Sequence, residues 1–137
     1  MGREGVRITV DTNILVRAVM RDDVAQADIA ASLLRDAEII ALPLPCLCEF
    51  VWVLRRVYSL DRQDIHAALQ ALLNAGNVAV NRPAVEAGLA MLDAGGDFAD
   101  GVIAMEGQWL GGETFISFDR QAVVLLDKQG QAARVAG

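Results

Sequence analysis

Histidine and lysine are nearly missing from this chain: His66 and Lys128 are the only ones among its 137 residues. Cysteine is scarce too. Cys46 and Cys48 lie too close to bridge readily, and they read as small buried residues of a cytoplasmic protein. With so few Cys and His ligands, a structural zinc site has too little to draw on. No Gly-rich loop carries a lysine, which excludes a P-loop nucleotide site. No uncharged apolar run reaches the roughly 18 residues that a membrane span needs. The longest apolar stretch, Ile39 to Leu54, is interrupted by Pro43, Pro45 and Glu49. The opening Met-Gly-Arg-Glu-Gly contains no apolar segment of signal-peptide type.

What remains is plentiful in apolar residues, 54% of the chain, so a core is easily built and one domain spanning residues 1–137 is expected. The net charge is −6, which taken alone disfavours a nucleic-acid partner, since phosphate affinity comes from Lys and Arg. That argument changes if the acids are gathered for a purpose.

Short β-branched or apolar runs alternate with helical ones. Strands are expected at Val6–Val10, Glu38–Leu42, Val78–Val80, Thr114–Phe118 and, weakly, Ala132–Val135. Helices are expected at Ile14–Met20 with Asn13 as cap, Val24–Arg35, Leu47–Val57, Asp61–Leu73, Arg82–Asp93, Asp97–Leu110 and Gln121–Lys128. The strand runs are apolar throughout and do not alternate with polar residues. That marks an α/β fold whose central sheet, of about five strands and mostly parallel, is covered by helices on both faces. Ligands of such sheets sit outside the carboxyl ends of the strands.

Four acids stand out there. Asp11 follows the first strand, and Asp119 follows Thr114-Phe-Ile-Ser-Phe118. Asp100 lies in the first turn of an apolar helix, and Glu49 is the only charge in Leu47–Leu54. Plainer roles are open to each: helix caps for Asp11, Asp119 and Asp97 with Asp100, a solvent-facing helix side for Glu49. Brought together at one sheet end, the four carboxylates would repel one another strongly unless a hard divalent cation joined them.

Val10-Asp-Thr-Asn-Ile-Leu15, Glu49 in Glu-Phe-Val-Trp-Val-Leu, Asp97-Phe-Ala-Asp100 and Ser117-Phe-Asp119 resemble the PIN-domain nucleases. In order, spacing and length they are similar to the VapC toxins of toxin–antitoxin pairs. The resemblance implies a Mg²⁺- or Mn²⁺-dependent endoribonuclease that cuts tRNA or other translation RNA and leaves a 5′-phosphate and a 3′-hydroxyl. It implies Asp11, Glu49, Asp100 and Asp119 as catalytic, metal-holding acids, with Asp97 accessory and Thr12 and Asn13 beside the first acid. Ser117 stands where many members have threonine. A metal held mainly by Asp11 and Asp100 would activate water and neutralise charge on the phosphate, with no histidine base. Thr12, Asn13 and Ser117 are expected to orient ligands or water.

The resemblance also implies a VapB-type antitoxin, whose arginine would reach the acids, and a homodimer. Leu15, Val16, Val19, Phe50, Val51, Trp52 and Leu54 are more apolar than one core face requires, so Leu15, Val16, Val19, Phe50 and Trp52 are candidates for a groove that takes an antitoxin helix. Trp52 and Trp109 are both candidate interface anchors. His66 reads as a solvated or half-buried side chain. Three rivals share some features. A receiver-type Mg²⁺ module would want a lysine at a late strand end, where Lys128 does not fall. A phosphatase with an aspartyl nucleophile would want a second Asp at position 13. A nuclease directed at DNA would use the same acids.

Overall fold

Each expected strand and helix forms, and every strand pairing is parallel. A computed structural model describes residues 5–137, so the first four residues of the N-terminal stretch discussed above lie outside the described residues. The chain divides into two compact units that meet in sequence at Val80 and Asn81.

The first unit contains β1 (Arg7–Thr9), α1 (Thr12–Met20), α2 (Val24–Asp36), β2 (Ile39–Ala41), α3 (Leu44–Arg56), α4 (Arg62–Asn74) and β3 (Val78–Ala79). Its strands lie in the order β1-β2-β3, with Thr9 opposite Ala41 and Ile40 opposite Val78. Parallel neighbours need a crossover, and a helix pair supplies it in each gap: α1 and α2, then α3 and α4. The helices bury Leu15, Val16, Leu47, Phe50, Leu54, Ile65 and Leu69. Asp23 and Asp61 cap α2 and α4 through the amides of Gln26 and Asp64.

The second unit contains α5 (Arg82–Asp93), α6 (Phe98–Trp109), β4 (Phe115–Ser117), α7 (Arg120–Lys128) and β5 (Ala133–Val135). Here β4 and β5 pair, with Phe115 opposite Ala133, and α7 crosses between them. The five strands thus hydrogen-bond as a group of three and a group of two. Asn81 caps α5, and Pro83 sits in its first turn, where the missing N–H costs nothing. Met91, Ala104, Ala122 and Leu126 form a buried cluster on which Phe115, Leu125 and Ala133 pack. Helices α5 and α6 approach closely through two glycines. A β-carbon on Gly101 would collide with the Ala87 carbonyl, and one on Gly88 would meet the Phe98 ring at 2.6 Å.

Among the described residues no helix is long and apolar enough to cross a membrane.

Candidate functional site

In the first unit, Asp11 follows β1 by two residues and is the N-cap of α1. Its extended backbone (φ −85°, ψ 174°) lets Oδ1 accept the amide of Ile14 at 3.4 Å. The cap is therefore Asp11 rather than Asn13. Asn13 already lies inside the helix, where its side chain can no longer reach forward to the open amides. Thr12 is buried, Asn13 is exposed.

Glu49 lies on α3 and is exposed, the plainer of its two readings. Cys46 lies in the first turn of α3, and its Sγ donates to the Val10 carbonyl at 3.6 Å. Burial pushes this thiol up, a hydrogen bond from Thr12 opposes the rise, and the charges of Asp11 and Glu49 add to it. Both cysteines are half-buried thiols outside any disulfide, not buried as expected, because they occupy the flank of α3 next to its inward-facing Leu47.

In the second unit, the half-buried Asp100 stands in the first turn of α6, and among the described residues no hydrogen bond reaches its carboxylate. Burial raises its pKa, and the neighbouring charges of Asp97 and then Asp119 raise it further. Both neighbours are exposed N-caps. Asp97 Oδ1 accepts the amide of Ala99 at 3.2 Å, and Asp119 Oδ1 accepts that of Ala122 at 3.1 Å. Ser117 Oγ accepts the Asp119 amide at 3.0 Å and so sets the turn that delivers Asp119 from β4. No capping box forms, because Asp100 does not bond back to Asp97.

Asp11, Asp97 and Asp119 thus each spend one oxygen on a helix cap. The capping and ligand readings of these acids coexist, since the second oxygen accepts no bond among the described residues. The acids appear as a pair around Cys46 in one unit and as Asp100 with two neighbours in the other. Among the described residues, no group of three or more His, Cys, Asp or Glu is placed to hold a metal ion. Bare carboxylates drawn to ligand distance would repel by about 4 kcal/mol per pair at an effective dielectric of 20. The donor set itself is all carboxylate, with no nitrogen or thiolate needed. It fits a hard ion such as Mg²⁺ or Mn²⁺ rather than zinc.

The apolar groove candidates divide sharply. Leu15, Val16 and Phe50 are fully enclosed, as are Val51 and Leu54. They are core and cannot line a surface groove, because they fill the space between the packed helices. Val19 and Trp52 are exposed, as is Trp109. His66 is half-buried.

Two features escaped the reading of the chain. Gly88 and Gly101 seat the start of α6 on α5; an isolated glycine inside an apolar helix was the available signal. Arg17 gathers Gln26, Asp22 and Tyr58 around its guanidinium, a network that nothing in local spacing announces.

No curated protein matches this chain. The family model described as PIN domain matches residues 8–125, which include every acid discussed above, and the chain belongs to the PIN-domain family, a metal-dependent nuclease fold.

Proposed function

We propose that this PIN-domain protein is an endoribonuclease of the VapC type, the toxin of a toxin–antitoxin pair. In this reading Asp11, Glu49, Asp100 and Asp119 hold Mg²⁺ or Mn²⁺, and the substrate is tRNA or another RNA of translation. The observation that carries the reading is Asp100. A half-buried carboxylate whose nearest charges are two more carboxylates is an arrangement that calls for a cation.

A divalent ion bound there would supply an acidified water and charge neutralisation at the phosphate. The chain's own residues do the rest. Asp97 and Asp119, tied down as caps, keep their free oxygens in fixed positions. Ser117 holds the backbone of Asp119. Thr12, buried and bonded to Cys46, fixes the turn between β1 and α1. No side chain is required as a proton acceptor other than the carboxylates. Exposed Val19, Trp52 and Trp109 support contact with a VapB-type antitoxin helix or a second copy of the chain.

The test is cleavage of labelled RNA and DNA by purified protein with Mn²⁺, with Mg²⁺ and with EDTA, alongside labelled acetyl phosphate. The expected result is fragments from RNA only, with metal only. Asp11→Asn or Asp100→Asn should each lose more than the ~10–100-fold typical of an outer-shell partner. A phosphorylated aspartate would support a receiver module instead, and equal cutting of DNA would remove the RNA assignment. Growth arrest on induced expression, absent in Asp100→Asn and relieved by a small DNA-binding protein encoded beside this chain, tests the toxin role.

A further inference from the structure

Beside Asp11, between α1 and α2, lies a cleft of about 390 Å³ walled by Asn13, Ile14, Arg17, Gln26, Ile29 and Ala30. That volume falls within the ~300–1,000 Å³ typical of small-ligand pockets. Its polar groups are fixed. Arg17 Nε donates to Gln26 Oε1 at 2.7 Å, and Arg17 Nη1 donates to Asp22 and to the Tyr58 hydroxyl, both at 3.3 Å. Tyr58 in turn donates to Asp22 at 2.7 Å, which closes the network.

A guanidinium only donates, so the amide oxygen of Gln26 must face it. The Gln26 NH₂ is then turned away from Arg17 and meets no acceptor among the described residues. Asn13 adds a second amide at the mouth, also without a bond among the described residues. Ile29 keeps 61% of its surface open although it lines a cavity, and Ile14 lies on the same wall.

The charge balance decides what fits. Arg17 is already neutralised by Asp22, and Asp11 lies at one end, so the cleft does not favour phosphate. A neutral, flat ligand with hydrogen-bonding edges suits apolar walls and fixed amides.

We propose that this cleft is a nucleobase subsite: it receives the base next to the cleaved bond of a single-stranded RNA, with Gln26 as the residue that holds the base edge. The proposal rests on the ribonuclease reading above. Gln26 presents a donor, and every base carries an acceptor for it, a carbonyl oxygen or, in adenine, a ring nitrogen, so the subsite distinguishes a base from a position without one.

The test uses binding, so that it does not depend on cleavage. A fluorescent uridine hexamer and an abasic ribose-phosphate hexamer are titrated against Asp100→Asn in Mg²⁺ by anisotropy. The uridine hexamer should bind at least about 5–10-fold tighter, the worth of one neutral hydrogen bond. Adding Gln26→Met removes the donor without adding charge, and should weaken the uridine hexamer by about that factor and leave the abasic one unmoved. Ile29→Ala should likewise weaken only the hexamer that carries bases. Melting curves check that each variant is folded. Equal binding of the two hexamers, no binding at all, or uridine binding that Gln26→Met leaves unchanged would overturn the subsite. Cleavage of the same hexamers by the unaltered protein in Mn²⁺ decides the nuclease reading separately.

Discussion

The α-carbon of Gly101 faces the main-chain carbonyl of Ala87 with no room for a β-carbon between them. The obstacle is backbone, so it cannot rotate away as a side chain would. Gly101→Ala should therefore drive α6 off α5 and cost ~1–3 kcal/mol, outweighing the better helix propensity of alanine. Gly107→Ala is the control. Gly107 lies on the same helix, and a β-carbon there meets nothing within 4 Å. That variant should gain up to about 1 kcal/mol. Urea denaturation of the two proteins measures the difference, and equal midpoints would contradict the close approach. Because Asp100 is next in the chain to Gly101, RNA cleavage should fall in Gly101→Ala and hold in Gly107→Ala.

Asp100 makes a separate prediction about pH. Burial, then Asp97 and Asp119, raise its pKa above the ordinary carboxylate value of about 3.9. The folded state then holds the proton more tightly than the unfolded chain does. Stability from this group is fully present at acid pH and declines as pH rises from the unfolded value through the raised folded one. Above that window the charge is a standing cost. Metal-free Asp100→Asn should therefore melt above the unaltered protein at pH 7, and the gap should close as pH falls through the Asp100 titration. Mg²⁺ should raise the melting temperature of the unaltered protein and leave Asp100→Asn nearly unmoved. A variant that melts lower at pH 7 without metal would reverse the sign.

The alternation of apolar strands with amphipathic helices was legible because both periods are local properties. Asp61, Asn81, Asp97 and Asp119 cap the helices that follow them for the same local reason. The cap of α1 was misplaced by two residues, since Asp11 and Asn13 both offer a side-chain oxygen and only the backbone turn after β1 selects one. Leu15, Val16 and Phe50 look like groove residues in the sequence because one apolar side resembles another until a second helix covers it. The packing of α3 against α4, and of α1 against α2, is not written in either segment alone. The acids were found through their unsuitability to their surroundings. Their splitting into capped and uncapped oxygens, and the glycine seat beneath Asp100, depend on pairs of residues distant in the chain.

Cys46 offers a chemical readout of the first-unit acids. In a Cys48→Ser background it is the single thiol. Its pKa is raised by burial and by Asp11 and Glu49, and each unit of rise removes about tenfold of the thiolate near neutral pH. Alkylation at pH 7.5 should therefore run well below the rate of free cysteine. Asp11→Asn or Glu49→Gln removes a repelling charge, lowers the thiol pKa and should speed the reaction several-fold. Mg²⁺ bound at these carboxylates should act in the same direction. Rates indifferent to both substitutions would mean that neither acid faces the thiol.

Asn77 is one of two buried polar residues among the described residues. Its Nδ2 donates to the carbonyls of Leu34 at 2.9 Å and Ala37 at 3.0 Å, which ties the open end of α2 to the start of β3. Asn77→Ala would strand both carbonyls and should cost ~1–3 kcal/mol. Asn77→Asp is the sharper probe. An ionised carboxylate would face two carbonyl oxygens in a buried site, so its folded pKa must rise well above that of the unfolded chain. Its stability should then increase as pH falls from 7 toward 4, because a protonated acid restores one of the two donors. Denaturation midpoints of Asn77→Asp that stay flat across that range, relative to Asn77→Ala, would show that the side chain does not point at those carbonyls.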